Sequence, residues 1–482
     1  MTFTTHRPHR FRKFHVTQNN VQHYIETHSE EFLDQLFELL SIPSISTDPD
    51  YADNVERCAQ WVSEHLRQIG VDTVEVHSTE GHPIVYAEHL SAPDDAPTLL
   101  IYGHYDVQPP DPIDKWDSPP FEPEVRDGKI FARGATDDKG QLFAHLKAIE
   151  AWIATTGGLP VNIKLIIEGE EEVGSPNLAP WVETHQQRLQ SDALIISDSS
   201  MFAPGIPSIT YGLRGLAYLQ MTVEGPDHDL HSGLFGGAVP NPINELARII
   251  AQMHDEDGRV TIPGFYDAVR PMDESECRAF AELPFDDAAF RNETGAAQLK
   301  GEKGYTTLER IWARPTLDCN GIWGGYTKQG AKTVLPSKAH AKFSCRLVPD
   351  QDPDEIAELA QSWVRELADD SVKVSTSVFH GGYPVITDRD APAVRAATRA
   401  LSRVWNEECV FTRGGGSIPI VTTFSKTLEI PTVLMGFGLE NDRLHSPNEK
   451  FNVENFYAGI RTSAYLWQEL EQVYADEAAA GE

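Results

Sequence analysis

The 482-residue chain is poor in positive charge, in cysteine and in long apolar runs, and each shortage argues against a class of function. Forty Lys and Arg stand against 73 Asp and Glu, a formal net charge of −33. So acidic a surface repels phosphate backbones, which disfavours a nucleic-acid partner. The five cysteines (Cys58, Cys277, Cys319, Cys345, Cys409) are odd in number, far apart and never in CxxC. That argues against a thiolate zinc motif or a disulfide framework, and it fits a reducing, cytoplasmic setting. The richest apolar runs, TLLIYG, VNIKLII and DALIIS, are strand-sized, well short of the ~18 apolar residues a membrane span needs. No GxSxG elbow is present, so a serine hydrolase of that type lacks support.

What is present is ordinary for a packed protein: 40% apolar and 23% charged residues, over a length of about three average domains. Residues 1–20 hold four Arg or Lys and no acid, and with no secretory apolar core they read as a mobile basic arm. Helices are expected over Glu30–Leu40 and near Asn54–Ile69, from apolar residues recurring on one face. Strands are expected at Thr98–Tyr102, Val161–Ile167 and Ala193–Ile196, with helices between them. That alternation predicts an α/β catalytic domain with a mainly parallel sheet flanked by helices. From Gly215 the texture changes to β-α-β-α-β, an α+β module of ferredoxin-like type. The predicted domains are therefore 21–214 with 383–482, and an inserted 215–382.

Five polar clusters follow a predicted strand or open a helix, where α/β sheets bind ligands. GHYDVQP carries His104 and Asp106, and RGATDDKG carries Asp137 and Asp138 at a helix start. EGEEEVGS carries Glu170, Glu171 and Glu172. Asp198 lies in ISDSS and His445 in RLHSPNEKF. Alone, each has a bland reading: a structural His-Asp pair, a helix cap, a solvated acidic turn. Together they offer imidazoles and carboxylates without a thiolate, a donor set suited to two divalent ions such as zinc or manganese. Adjacent carboxylates at a strand end repel one another unless cations are near. Two ions sharing a carboxylate commonly activate a water, so a dinuclear hydrolase is expected.

The ordered motifs FELLSIPSIS, GHYDVQP, WDSPPFEP, RDGKIFARGATDDKG, EEVGS, DLHSGLFGG, FSCRLVP, GGGSIP and HSPNEKF resemble a known family. It is that of the dinuclear metallopeptidases, which includes cytosolic non-specific dipeptidases, carnosinases, acetylornithine deacetylase, succinyl-diaminopimelate desuccinylase and glutamate carboxypeptidase. The resemblance runs from about Phe32 to Phe456 and is closest to the dipeptidase branch. It implies that His104 and Asp198 bind one metal, that Glu172 and His445 bind the other, and that Asp137 bridges them. It further implies a cis peptide at Asp137–Asp138, Asp106 as the group orienting His104, and Glu171 as general base.

In the dipeptidase branch the histidine of DLHSG, here His231, steadies the oxyanion in a neighbouring subunit's site, which implies a homodimer. Arg346 is implied to receive the substrate's free carboxylate, with Thr333, His380 and Ser417 as its neighbours. The inserted module would then serve as a lid and dimerisation domain and as a length ruler. These implications converge on hydrolysis of dipeptides or very short peptides. The alternative keeps the same centre for an N-acyl amino acid, as a deacylase or carboxypeptidase-like amidase.

Overall fold

The apolar runs TLLIYG, VNIKLII and DALIIS become the central strands of one unit. The computed structural model describes residues 19–93, 95–415 and 419–481. Most of the expected basic arm, and Ser417, lie outside them. Two compact units emerge: Met1–Tyr211 with Thr387–Thr412 and Thr423–Glu482, and Gly212–Ile386 with Arg413–Thr422. The second unit is thus wider than the predicted 215–382 and takes in the segment that carries the GGGS glycines. Among the described residues no helix is long and apolar enough to cross a membrane.

The first unit is built on β1 (Thr73–His77), β2 (Ile84–His89), β3 (Thr98–His104), β4 (Asn162–Glu168), β5 (Ala193–Ile196) and β6 (Ser208–Leu213). Their order is β1-β2-β4-β3-β5, then the strand Thr432–Leu434, then β6. The centre is parallel: β3 pairs with β4 and β5, and Thr432–Leu434 continues from β5 in the same sense. The edges are antiparallel, β1 on β2, β2 on β4 and β6 on Thr432–Leu434. A mainly parallel sheet was expected, and the central pairs supply it. β3 and β4 are buried over nearly their whole length, as a sheet covered on both faces requires.

Helices α1 (Ser29–Leu40), α2 (Ala52–Gln68) and α3 (Lys139–Thr156) flank this sheet, the first two within two residues of the expected ends. The first ten residues of α3 are buried all round, Lys139 and Lys147 included. Lys139 stays satisfied because its Nζ donates to the carbonyls of Leu39 (3.3 Å) and Ile42 (2.7 Å). A buried ammonium without such acceptors would cost several kcal/mol. The final helix, Val453–Gly481, packs on α3, and Trp152 Nε1 donates to Ala464 O at 3.0 Å.

The second unit contains β7 (Gly215–Glu224), α4 (Pro242–Ala251), β8 (Thr316–Gly324), β9 (Lys338–Leu347), α5 (Pro353–Leu367) and β10 (Lys373–Gly382). All pairs are antiparallel in the order β8-β9-β7-β10. β7 alternates strictly, and Ala217, Leu219, Met221 and Val223 pack with Leu246 and Ile249 of α4 and Ile356, Ala360 and Val364 of α5. The ferredoxin-like topology is complete because β8, which the sequence reading does not place, supplies the missing edge strand.

Candidate active site

Strand geometry delivers the first ligand. β3 ends at His104, which is fully buried, and its Nδ1 lies 3.1 Å from Asp106 O and 3.3 Å from Asp106 Oδ1. The Asp106 carboxylate also accepts from the backbone N–H of Glu171 (3.2 Å) and of Glu172 (3.1 Å). One buried acid therefore ties the end of β3 to the acidic turn after β4 and fixes the ring that it touches.

His104 Nε2 faces the other way, 3.2 Å from Asp137 Oδ1 and 3.8 Å from Asp198 Oδ2, in a geometry that leaves it with no hydrogen-bond partner. Asp137 is shared. Its Oδ2 lies 3.0 Å from His445 Nε2, which is 3.2 Å from Glu172 Oε2. His104, Asp137 and Asp198 thus form one group able to hold a metal ion, and Asp137, Glu172 and His445 form a second. The peptide bond between Asp137 and Asp138 is cis. Asp138 occupies the N-cap position of α3 but makes no cap bond. Its Oδ2 instead accepts from His104 N at 3.3 Å.

The charges record what the cluster needs. Burial pushes Glu171 up to about 8, with Asp198, Glu172 and Asp137 adding to the rise against the pull of His104. Burial likewise takes Asp198 up to about 7, with Asp137 adding to it. Hydrogen bonds to Asp137 and Glu172 raise His445 to about 10. Burial alone would lower His104, yet Asp106 and Asp137 hold its imidazolium well above the usual range. Protons and imidazolium ions here balance carboxylates too close to be ionised together. With an unpartnered buried Nε2 and a donor set of imidazole nitrogen and carboxylate oxygen, the residues fit a pair of divalent cations.

Two supporting residues escaped the sequence reading. Gln108 Nε2 donates to Glu172 Oε2 at 2.9 Å, holding that side chain from behind. Glu449, four positions after His445, is fully buried and accepts from the loop that carries Asp137. Gln108 and Glu449 lie inside the motifs GHYDVQP and HSPNEKF, each four positions after the histidine of its motif. Glu170, by contrast, turns aside to accept from Asn177 Nδ2 at 2.7 Å.

The remaining predicted residues belong to the second unit. Arg346 on β9 pairs with Leu216, and His380 on β10 pairs with Tyr218, so both flank one end of β7. Thr333 is not beside them. Its carbonyl accepts from Ser232 N at 3.0 Å, next to His231, which pairs with Val334 beyond the Lys338 end of the sheet. Within one chain the length of β9 lies between Arg346 and Thr333. Ser417 lies outside the described residues.

A family model described as peptidase family M20/M25/M40 matches residues 100–469. A Cys-Gly metallodipeptidase of Saccharomyces cerevisiae is 34% identical over 461 residues, 92% of this chain and 96% of that one. The human Beta-Ala-His dipeptidase is 34% identical over 471 residues, 94% of this chain and 92% of its own. Among solved structures, human carnosine dipeptidase 1 matches at 33% identity and a TM-score of 0.78, over 94% of this chain and 99% of that chain. A family M20 metallo-carboxypeptidase from Sulfolobus solfataricus matches at 34% identity and a TM-score of 0.81, over 92% and 99%.

Proposed function

The chain belongs to peptidase family M20/M25/M40, and from that membership and the paired ligand groups we propose that it is a metal-dependent dipeptidase. Its substrates are dipeptides or very short peptides with a free C-terminal carboxylate. The observation that carries this reading is Asp137 shared between two three-residue ligand groups, each with one imidazole and two carboxylates.

His104, Asp137 and Asp198 would hold one divalent cation, and Asp137, Glu172 and His445 the other, with zinc and manganese both suited to the donors. When bound, such a pair supplies a water of lowered pKa and polarises the scissile carbonyl. Glu171 is the chain's own proton carrier. It is a half-buried carboxylate at the turn after β4, and its raised affinity for protons suits it to take one from the attacking water and return it to the leaving amine. Asp106 keeps the His104 ring in place through Nδ1.

Arg346, with Thr333, His380 and Ser417, is assigned to the substrate's carboxylate, for which a planar guanidinium fork is matched. The register supports a homodimer in which His231 serves the partner's site. Eight positions of β9, about 27 Å of strand, lie between Lys338 and Arg346. A dipeptide reaches only about 7 Å, so the His231–Thr333 end and the Arg346–His380 end of one sheet do not meet on one substrate. Two copies supply both ends to each site. The basic arm and the setting of the chain follow the same reading, a cytoplasmic enzyme with no nucleic-acid partner.

The likeness to a metallo-carboxypeptidase keeps the deacylase or carboxypeptidase-like alternative in view. A metal-replete panel of Ala-Ala, Gly-Leu, carnosine and N-acetyl amino acids separates the two. Free dipeptides are expected to turn over faster, and a preference for acetylated compounds reverses the assignment.

A further inference from the structure

Glu449 is fully buried, and its carboxylate accepts from four N–H donors. Oε2 accepts from Arg133 Nη1 (2.6 Å) and from Gly134 N (3.1 Å). Oε1 accepts from Thr136 N (3.0 Å) and from Asp137 N (3.2 Å). Four donors converge on one acid, and three of them (Gly134 N, Thr136 N and Asp137 N) are backbone groups of the turn that presents Asp137. The same segment is laced further: Ala132 N donates to Glu449 O at 3.3 Å, and Thr136 Oγ1 donates to Lys450 O at 2.7 Å. Glu449 is also only four residues beyond His445. Its backbone is therefore tied to one ligand of the second group while its side chain shapes the loop of the shared ligand.

The chemistry of the acceptor is restrictive. A carboxylate presents two acceptor oxygens and no donor, whereas an amide of the same shape turns an NH2 toward one pair of N–H groups. Either orientation of a glutamine would leave two donors facing a donor. A shorter carboxylate keeps the charge but cannot span both pairs.

Resting on the dinuclear reading above, we propose that Glu449 is a positioning residue that sets Asp137 and His445 in register for the second cation. It touches neither ion nor substrate. Two of the three residues in the second group, Asp137 and His445, depend on it, but only one of the three in the first group. The loss of Glu449 therefore falls unequally on the two ions.

The test is a titration of the metal-stripped full-length chain with manganese(II), following free ion and the spin-coupled signal of a neighbouring pair by paramagnetic resonance. In Glu449→Gln the first equivalent is expected to bind within about 3-fold of the unsubstituted chain. The coupled signal should require about 10–100-fold more free manganese, the range found when groups behind metal ligands are removed. If Glu449→Gln does not fold, Glu449→Asp takes its place, with the same two thresholds. Equal weakening of both ions, or two ions bound unchanged, overturns the proposal. An unsubstituted chain that never takes up a second ion would instead sink the dinuclear reading.

Discussion

Asp137 is the residue on which the site turns, because each of its oxygens faces a different imidazole. In the metal-free chain those imidazoles carry protons that cations would displace. At pH 7 His445, raised to about 10 by its bonds to Asp137 and Glu172, is protonated, Glu171 near 8 is mostly protonated and Asp198 near 7 is about half so. Ligation requires His445 neutral and Asp198 ionised, so metal loading must release protons. Calorimetric titration with zinc or manganese at pH 7, in buffers of different ionisation enthalpy, is expected to report net release of at least about one proton per chain. Affinity should climb between pH 5 and 8, since the competing protons leave as pH rises. Binding that takes up protons, or that ignores pH, would contradict this arrangement of charges.

At the scale of elements, capping gives the simplest test. Asp352 opens α5, and its Oδ1 accepts from Asp354 N (2.8 Å) and Glu355 N (3.2 Å). Asp352→Ala is expected to cost about 1 kcal/mol in the urea unfolding of the second unit, with faster hydrogen exchange at those two amides. A change below about 0.3 kcal/mol would mean that water replaces the cap without loss.

This helix was legible in the sequence because cap and apolar face agree. The strand ends that bear His104, Glu171 and Asp198 were legible for the same reason, buried runs that stop abruptly at polar residues. β8 was not. It is an edge strand, exposed at Asp318, Cys319 and Asn320, and a bulge between Cys319 and Gly321 breaks the alternation that announces strands. The parts of the site that escaped detection did so because their role depends on partners remote in sequence. Glu449 looks like one acid in a polar loop until Arg133 and Thr136 are brought to it. The separation of Thr333 from Arg346 likewise follows from the pairing register, which no motif displays.

For the whole molecule, the prediction concerns two copies at once. His231→Ala should lower kcat about 10²–10³-fold, as expected when an oxyanion donor is removed. Glu171→Gln should lower it about 10²–10⁴-fold. In the proposed homodimer neither variant is then useful alone, but a mixed dimer gathers both defects in one site and leaves the other intact. Random reassortment of equal amounts should restore about a quarter of the unsubstituted rate, since half of the dimers are mixed and half of their sites are whole. Mixtures that stay as inactive as their components would place His231 in its own subunit's chemistry or outside the reaction.

The ligands are also spread along most of the polypeptide, from His104 to His445, with the strand Thr432–Leu434 arriving late to complete the sheet beside β5. A ribosome making this protein has therefore exposed the first metal group long before the second exists. Until His445 emerges, a nascent chain offers a place for one ion only, and it has no means of cutting the short peptides around it. Activity on short peptides therefore depends on a late stretch of the chain, and a product stopped before His445 is expected to be inert.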